Sequence, residues 1–202
     1  MIRLSLFLVA LAAAAPATAQ VEHCQVEDVS GGPDTPAPLI TDWQWAQTFT
    51  CQAGGVLSRL DVEYSSMNAP DGTVRLELRT VSDGLPDETA TGLLASADVA
   101  VGNAPGVRVA RLDLLGADIH VDVGDRLAVT MTATTDGYDV FDAPRWYGWS
   151  AGDYAGGLAY YKAEGIDWVP QETIDLSFAC WADCATPIAA ASWSAVKARF
   201  SR

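Results

Sequence analysis

Three features of this sequence predict an all-β fold, a jelly-roll β-sandwich of about eight to ten antiparallel strands. Apolar residues recur at period two in run after run between Trp43 and Cys180. The runs are short and are separated by clusters of Gly, Pro, Asp and Asn. None of them shows the spacing of an amphipathic helix, which appears only after Thr186-Pro187.

Taken in order, residues 20–42 are polar and turn-rich, with Gly31-Gly32-Pro33-Asp34 and Pro36-Ala37-Pro38, and read as an extended lead-in. The sandwich domain is expected over residues 43–184. Trp43, Trp45, Gln47, Phe49 and Cys51 share one face of its first strand. In the next run Leu60, Val62 and Tyr64 face inward while Arg59, Asp61 and Glu63 face water. After the turn Asn68–Gly72, Val74, Leu76 and Leu78 point inward and Arg75, Glu77 and Arg79 outward, which predicts an antiparallel pair. Ser82–Asp87 is a further turn. Strands are then expected at Leu93–Val101, Val107–Leu115, Arg126–Ala133, Tyr138–Phe141, Arg145–Trp149, Gly157–Lys162 and Thr173–Cys180. The tail, 185–202, differs in kind: Trp193, Val196 and Phe200 fall at helical spacing after a Ser192 cap, beside Lys197, Arg199 and Arg202. Its Ser-Trp and basic, aromatic end resembles the short C-terminal signatures of some exported bacterial proteins.

The first 19 residues carry one positive charge, Arg3, then an apolar run from Leu4 to Ala15 and small residues at Ala17-Thr18-Ala19. This is the pattern of a cleaved secretory signal peptide, and it predicts an exported chain, extracellular, periplasmic or on the cell surface, that begins at Gln20. The apolar run is too short to span a bilayer comfortably, and no other candidate span follows it. A formal net charge of −14 argues against nucleic acid and anionic lipid as partners. Four cysteines, Cys24, Cys51, Cys180 and Cys184, in an oxidising compartment predict two disulfides, with three connectivities open. Two lie near the start of the domain and two near its end, so at least one bridge is expected to tie the first strand region to the last.

With the strands placed, Ala46–Cys180 resembles the choice-of-anchor R domain, a family of secreted bacterial β-sandwich modules. The matching features are Ala46-Gln47-Thr48-Phe49-Thr50 with Gly54-Gly55, Leu76-Glu77-Leu78 leading to Asp83-Gly84-Leu85-Pro86, and Gly124–Val129. Asp153–Tyr161, a turn at Trp168 and the closing Asp175-Leu176-Ser177-Phe178 complete the order. The resemblance implies a galactose-binding-like jelly roll, export and surface attachment through varied C-terminal anchors, and it carries no catalytic residues. This chain departs from the pattern in its four cysteines and in having no hydrophobic anchor helix.

Catalysis has little to recommend it. Gly148-Trp149-Ser150-Ala151-Gly152 matches the nucleophile elbow of serine hydrolases, but that chemistry needs a histidine later in the chain and none follows Ser150. No pair of carboxylates is singled out by spacing for glycoside hydrolysis. Asp136, Asp139 and Asp142, clustered about Gly137, are hard oxygen ligands and a candidate site for a structural calcium, although they do not form an EF-hand loop. The strongest candidate is the aromatic stretch Trp146–Tyr161. Sugar rings stack their C–H faces on Trp and Tyr while neighbouring polar groups take the hydroxyls. Trp146, Trp149, Tyr154 and Tyr160, with Asp153 as a hydrogen-bonding neighbour, are therefore the expected ligand contacts. The opposing reading makes these rings structural, with one of Tyr160 and Tyr161 in the core. The sequence thus points to a non-catalytic extracellular binding module for polysaccharide. The alternative is a structural or adhesive surface protein with a protein partner.

Overall fold

In the computed structural model residues 36–66, 69–150 and 154–183 are described in full, and residues 20–25 by their backbone. The expected signal peptide, most of the lead-in, Asp153, Cys184 and the tail expected to be helical lie outside these residues. The described chain contains strands and turns and no helix. Its strands in order are β1 Gln20–Gln25, β2 Ala37–Pro38, β3 Trp43–Thr50, β4 Gly55–Ser66, β5 Gly72–Ser82, β6 Leu85–Pro86, β7 Leu93–Val101 and β8 Ala104–Asp113. They continue with β9 His120–Val121, β10 Arg126–Ala133, β11 Arg145–Trp146, β12 Gly148–Trp149, β13 Ala159–Ala163, β14 Ile166–Gln171, β15 Asp175–Leu176 and β16 Ala179–Asp183.

All the pairings are antiparallel. The first sheet is built on β4, with β16 and then β11 along one edge and β8 and β9 along the other; β1 pairs with β16 and β2 with β11. The second sheet runs β14-β13-β3-β10-β5, with β7 on the far edge of β5. A small third sheet joins β12 to β15. Leu60, Val62 and Tyr64 of β4 meet Phe49 of β3, Val74, Leu76 and Leu78 of β5, and Leu127, Val129 and Met131 of β10 in one core. The molecule is a β-sandwich, and the period-two runs of the sequence supply its inner faces.

Three expectations are corrected. Tyr138–Phe141 is not a strand. The Asp139 carboxylate accepts the backbone N–H groups of Phe141 (2.7 Å) and Asp142 (3.1 Å), while Asp142 accepts that of Asp139 (2.9 Å), so side-chain capping closes a turn instead. Arg145–Trp149 and Thr173–Cys180 each divide in two, because the chain changes sheets: Tyr147 donates its N–H to Glu63, and Gly148 then pairs with Leu176. Trp168 is not at a turn but inside β14, and the β13–β14 turn is made by Gly165 at φ +71°.

Candidate functional site

The expected aromatic contacts do not form one exposed row. Trp146 is fully buried and donates its indole N–H to Ser177 O at 2.7 Å, as a core residue of the first sheet. Tyr160 is buried on the second sheet, where it packs with Ala46 and Trp168 and donates its hydroxyl to Gly84 O at 3.1 Å. Tyr154 is half-buried, its ring set edge-on to Phe178 with 6.0 Å between centroids, and its backbone N–H donates to Asp175. Trp149 is half-buried as well, with its indole N–H turned inward and without a partner among the described residues. The alternation along β13 that was expected to bury one of Tyr160 and Tyr161 buries Tyr160 in a place of its own, on the outer face of the second sheet.

That outer face is covered. The connection from β5 to β7, residues 83–92, lies across it as a strap. Arg79 holds the strap on one side by donating to Asp87 O at 2.9 Å. On the other side Tyr160 holds Gly84, and Lys162 donates to both Glu88 oxygens at 2.5 and 2.6 Å. Small residues line this face and are all fully buried: Ala46 of β3, packed against Leu85 of the strap, Ala128 and Thr130 of β10, and Thr48 of β3, whose hydroxyl exchanges hydrogen bonds with the backbone of Leu158. Glu77, expected to face solvent, is buried too, and takes hydrogen bonds from Arg79 at 2.7 Å and Thr130 at 3.2 Å.

Beyond one end of the strap the face opens into a groove of about 430 Å³, lined by Thr41–Gln44, Thr132 and Lys162–Gly165. Local pairing builds it. Gln44 sits between Lys162 and Thr132 in the register of three strands, the Thr132 hydroxyl donates to Trp43 O at 2.8 Å, and Glu164 N–H donates to Asp42 O at 3.1 Å. Trp43 stands at the rim, half-buried, braced by Tyr161 in an edge-on contact at 5.3 Å and 83°. The carboxylates of Asp42 and Glu164 and the side-chain amide of Gln44 make no ion pair or hydrogen bond among the described residues. One ring, two carboxylates and an amide therefore remain available around a shallow, polar depression. Beyond the other end of the strap a second groove, about 390 Å³, is bordered by Arg126 and Tyr154–Leu158. Tyr154 belongs to this second one, and its hydroxyl end lies over Gly156.

Sequence reading placed Trp43 on the inner face with Trp45. It has that parity, but it is the first residue of its strand, where the core ends. The signal for this was the Thr41-Asp42 turn immediately before it, which puts the ring at the rim.

Within the acidic cluster, Asp139 and Asp142 cap their own turn, and Asp136 is exposed. The backbone hydrogen bonds from Phe141 and Asp142 hold the Asp139 carboxyl below the usual carboxylate range. No group of three or more metal-ligating side chains occurs among the described residues. The two expected disulfides are not found among the described residues: Cys51 and Cys180 are both buried in the core without an S–S bond between them, and Cys24 lies opposite Cys180 in the backbone register of β1 and β16.

Compared with known proteins, the chain matches no family model and no curated sequence.

Proposed function

We propose that this protein is an exported, non-catalytic binding module for carbohydrate, and that the groove at Trp43 is its ligand site. One observation carries the reading: a half-buried indole at the rim of a groove whose carboxylates and amide are not engaged by any of the described residues. A pyranose ring offers an apolar C–H face to the indole and hydroxyls to Asp42, Gln44 and Glu164, so one residue set satisfies both kinds of surface. The open, shallow form suits a polysaccharide, which passes across a surface, better than a substrate that must be enclosed for chemistry. The leader-like first 19 residues support export, as does the resemblance of the motif order to choice-of-anchor R modules.

A second reading, an adhesive protein with a protein partner, is favoured by Phe141. Its ring is 82% exposed at the tip of the turn braced by Asp139, with Arg145 donating to the carbonyls of Val140 and Phe141 at 3.1 and 3.3 Å. A rigid, exposed phenylalanine is the kind of anchor that a protein pocket accepts.

A glycan array probed with the exported protein, alongside Trp43→Ala and Phe141→Ser, separates the two. Carbohydrate function predicts binding to defined glycans that falls at least ~10-fold in Trp43→Ala and is unchanged in Phe141→Ser, with both variants folded. Binding insensitive to Trp43→Ala would remove the groove as the site. No glycan bound at all, with Phe141→Ser abolishing adhesion of coated beads to the producing cells, would establish the protein-partner reading.

A further inference from the structure

We infer that Cys51 and Cys180 form a disulfide that joins the two sheets through the core. A ladder of contacts between facing sheets leads to this pair. The Gln47 side-chain oxygen accepts the N–H of Leu176 at 2.8 Å, and the Phe49 ring lies 4.8 Å from that of Phe178. Both contacts run in the same direction along the two segments, with each step advancing two residues on either side. The next pair along the two segments is Cys51 and Cys180. Phe49 and Phe178, like Cys51 and Cys180, are all buried in one core cluster. Burial pushes the Cys180 thiol up to about 12, and the nearness of Cys51 adds to that rise, which places the two sulfur groups within electrostatic reach.

The cross-link rests on the export half of the proposed function, because an oxidising compartment must supply the oxidant, a small or protein disulfide. One cysteine thiolate attacks the donor disulfide, giving a mixed disulfide and releasing one donor thiol. The second cysteine then displaces the other donor thiol and the Sγ–Sγ bond forms. Two S–H bonds are broken, and the two electrons and two protons leave on the reduced donor. In the folded core the Cys180 thiolate is scarce and neither sulfur is open to a donor, so the bond forms before the sheets close. The rival partner is Cys24, which faces Cys180 across the β1–β16 pairing.

The acidic residues of the chain make the test direct. Cleavage at Asp and Glu separates all four cysteines: Cys24 lies between Glu22 and Glu27, Cys51 between Asp42 and Asp61, Cys180 between Asp175 and Asp183, and Cys184 beyond Asp183. The full chain is recovered from the oxidising compartment, alkylated under denaturing conditions and digested without reductant at mildly acidic pH, where thiols do not exchange. The expected product is one linked pair joining the Cys51 and Cys180 peptides. Cys180 linked to Cys24 or Cys184, or Cys51 and Cys180 both alkylated, overturns the inference. As a second measurement, Cys51→Ala and Cys180→Ala should each lower the melting temperature by roughly 10 °C. The double variant should fall no further than either alone, and additive losses would count against a shared bond. Glycan binding does not enter either readout, so failure here leaves the ligand site untouched.

Discussion

The outer faces of the two sheets differ more than their inner faces do. On the first sheet, Arg111 of β8 grips Asp61 of β4 through two oxygens at 2.8 and 3.1 Å, and Val107 and Val109 stand 55% and 49% exposed. This is an ordinary solvated face. On the second sheet, Ala46, Thr48, Ala128 and Thr130 are buried beneath the strap and the neighbouring Gly157–Leu158 segment, and among the described residues the face opens at its two ends. β3 and β10 are therefore packed on both sides, and the strap decides where a ligand can reach the sheet. The most informative experiments are those that erase this difference.

The largest effect is expected beneath the strap. Ala46→Leu adds three carbons where Tyr160, Trp168 and Leu85 already close on a fully buried methyl group. Overpacking of this kind costs about 2 kcal/mol, whereas Val109→Leu on the open face should stay within about 0.5 kcal/mol. Urea unfolding of the two variants measures both. Equal effects would mean that the strap does not press on the sheet.

Much of the sandwich was legible because burial on one face of a strand imposes alternation. The expected strands Leu93–Val101 and Arg126–Ala133 coincide with β7 and β10, and the inward residues of β4 and β5 are those the alternation picked out. The covered outer face was less legible. Ala46, Thr48, Ala128 and Thr130 are small because something lies over them, and smallness is a much weaker signal than apolar bulk. For the candidate site the reading failed in a definite way. Ring density drew attention to Trp146–Tyr161, yet Trp146 and Tyr160 reach different sheets and are both buried. Density of aromatic residues along a chain measures how much apolar surface must be hidden. Whether one ring stays open depends on where its strand begins, and Trp43 begins one.

A smaller effect is expected at the strap's clamp to β13. The Lys162–Glu88 pair is short, but the two side chains are 29% and 47% exposed, so water and salt screen it. Glu88→Ala should cost about 0.5 kcal/mol. It should also shrink toward zero at high salt, when melting curves are compared with the unaltered protein. A loss that does not depend on salt would show that the clamp acts through packing and not through charge.

The smallest effect separates the faces by pH. In the strap, hydrogen bonds from the Thr89 hydroxyl and then from its backbone N–H hold the Asp87 carboxyl below the usual carboxylate range, with a further contact from Thr80. A carboxyl whose folded value is lowered favours the folded state above its unfolded value, about 3.9, and loses that contribution as pH falls through the lower folded value. Acidification should therefore loosen the turn in which Gly92 N–H donates to Thr89 and Asp87 N–H donates to Thr80 O. Amide exchange at Asp87 and Gly92, followed from pH 6 down to about 3 and corrected for intrinsic exchange, should lose protection while Val62 in β4 keeps its own. If the strap amides and Val62 instead lose protection together, the strap opens only when the whole sandwich does. It would then be a third layer of the core and not a separate cover over an otherwise open sheet.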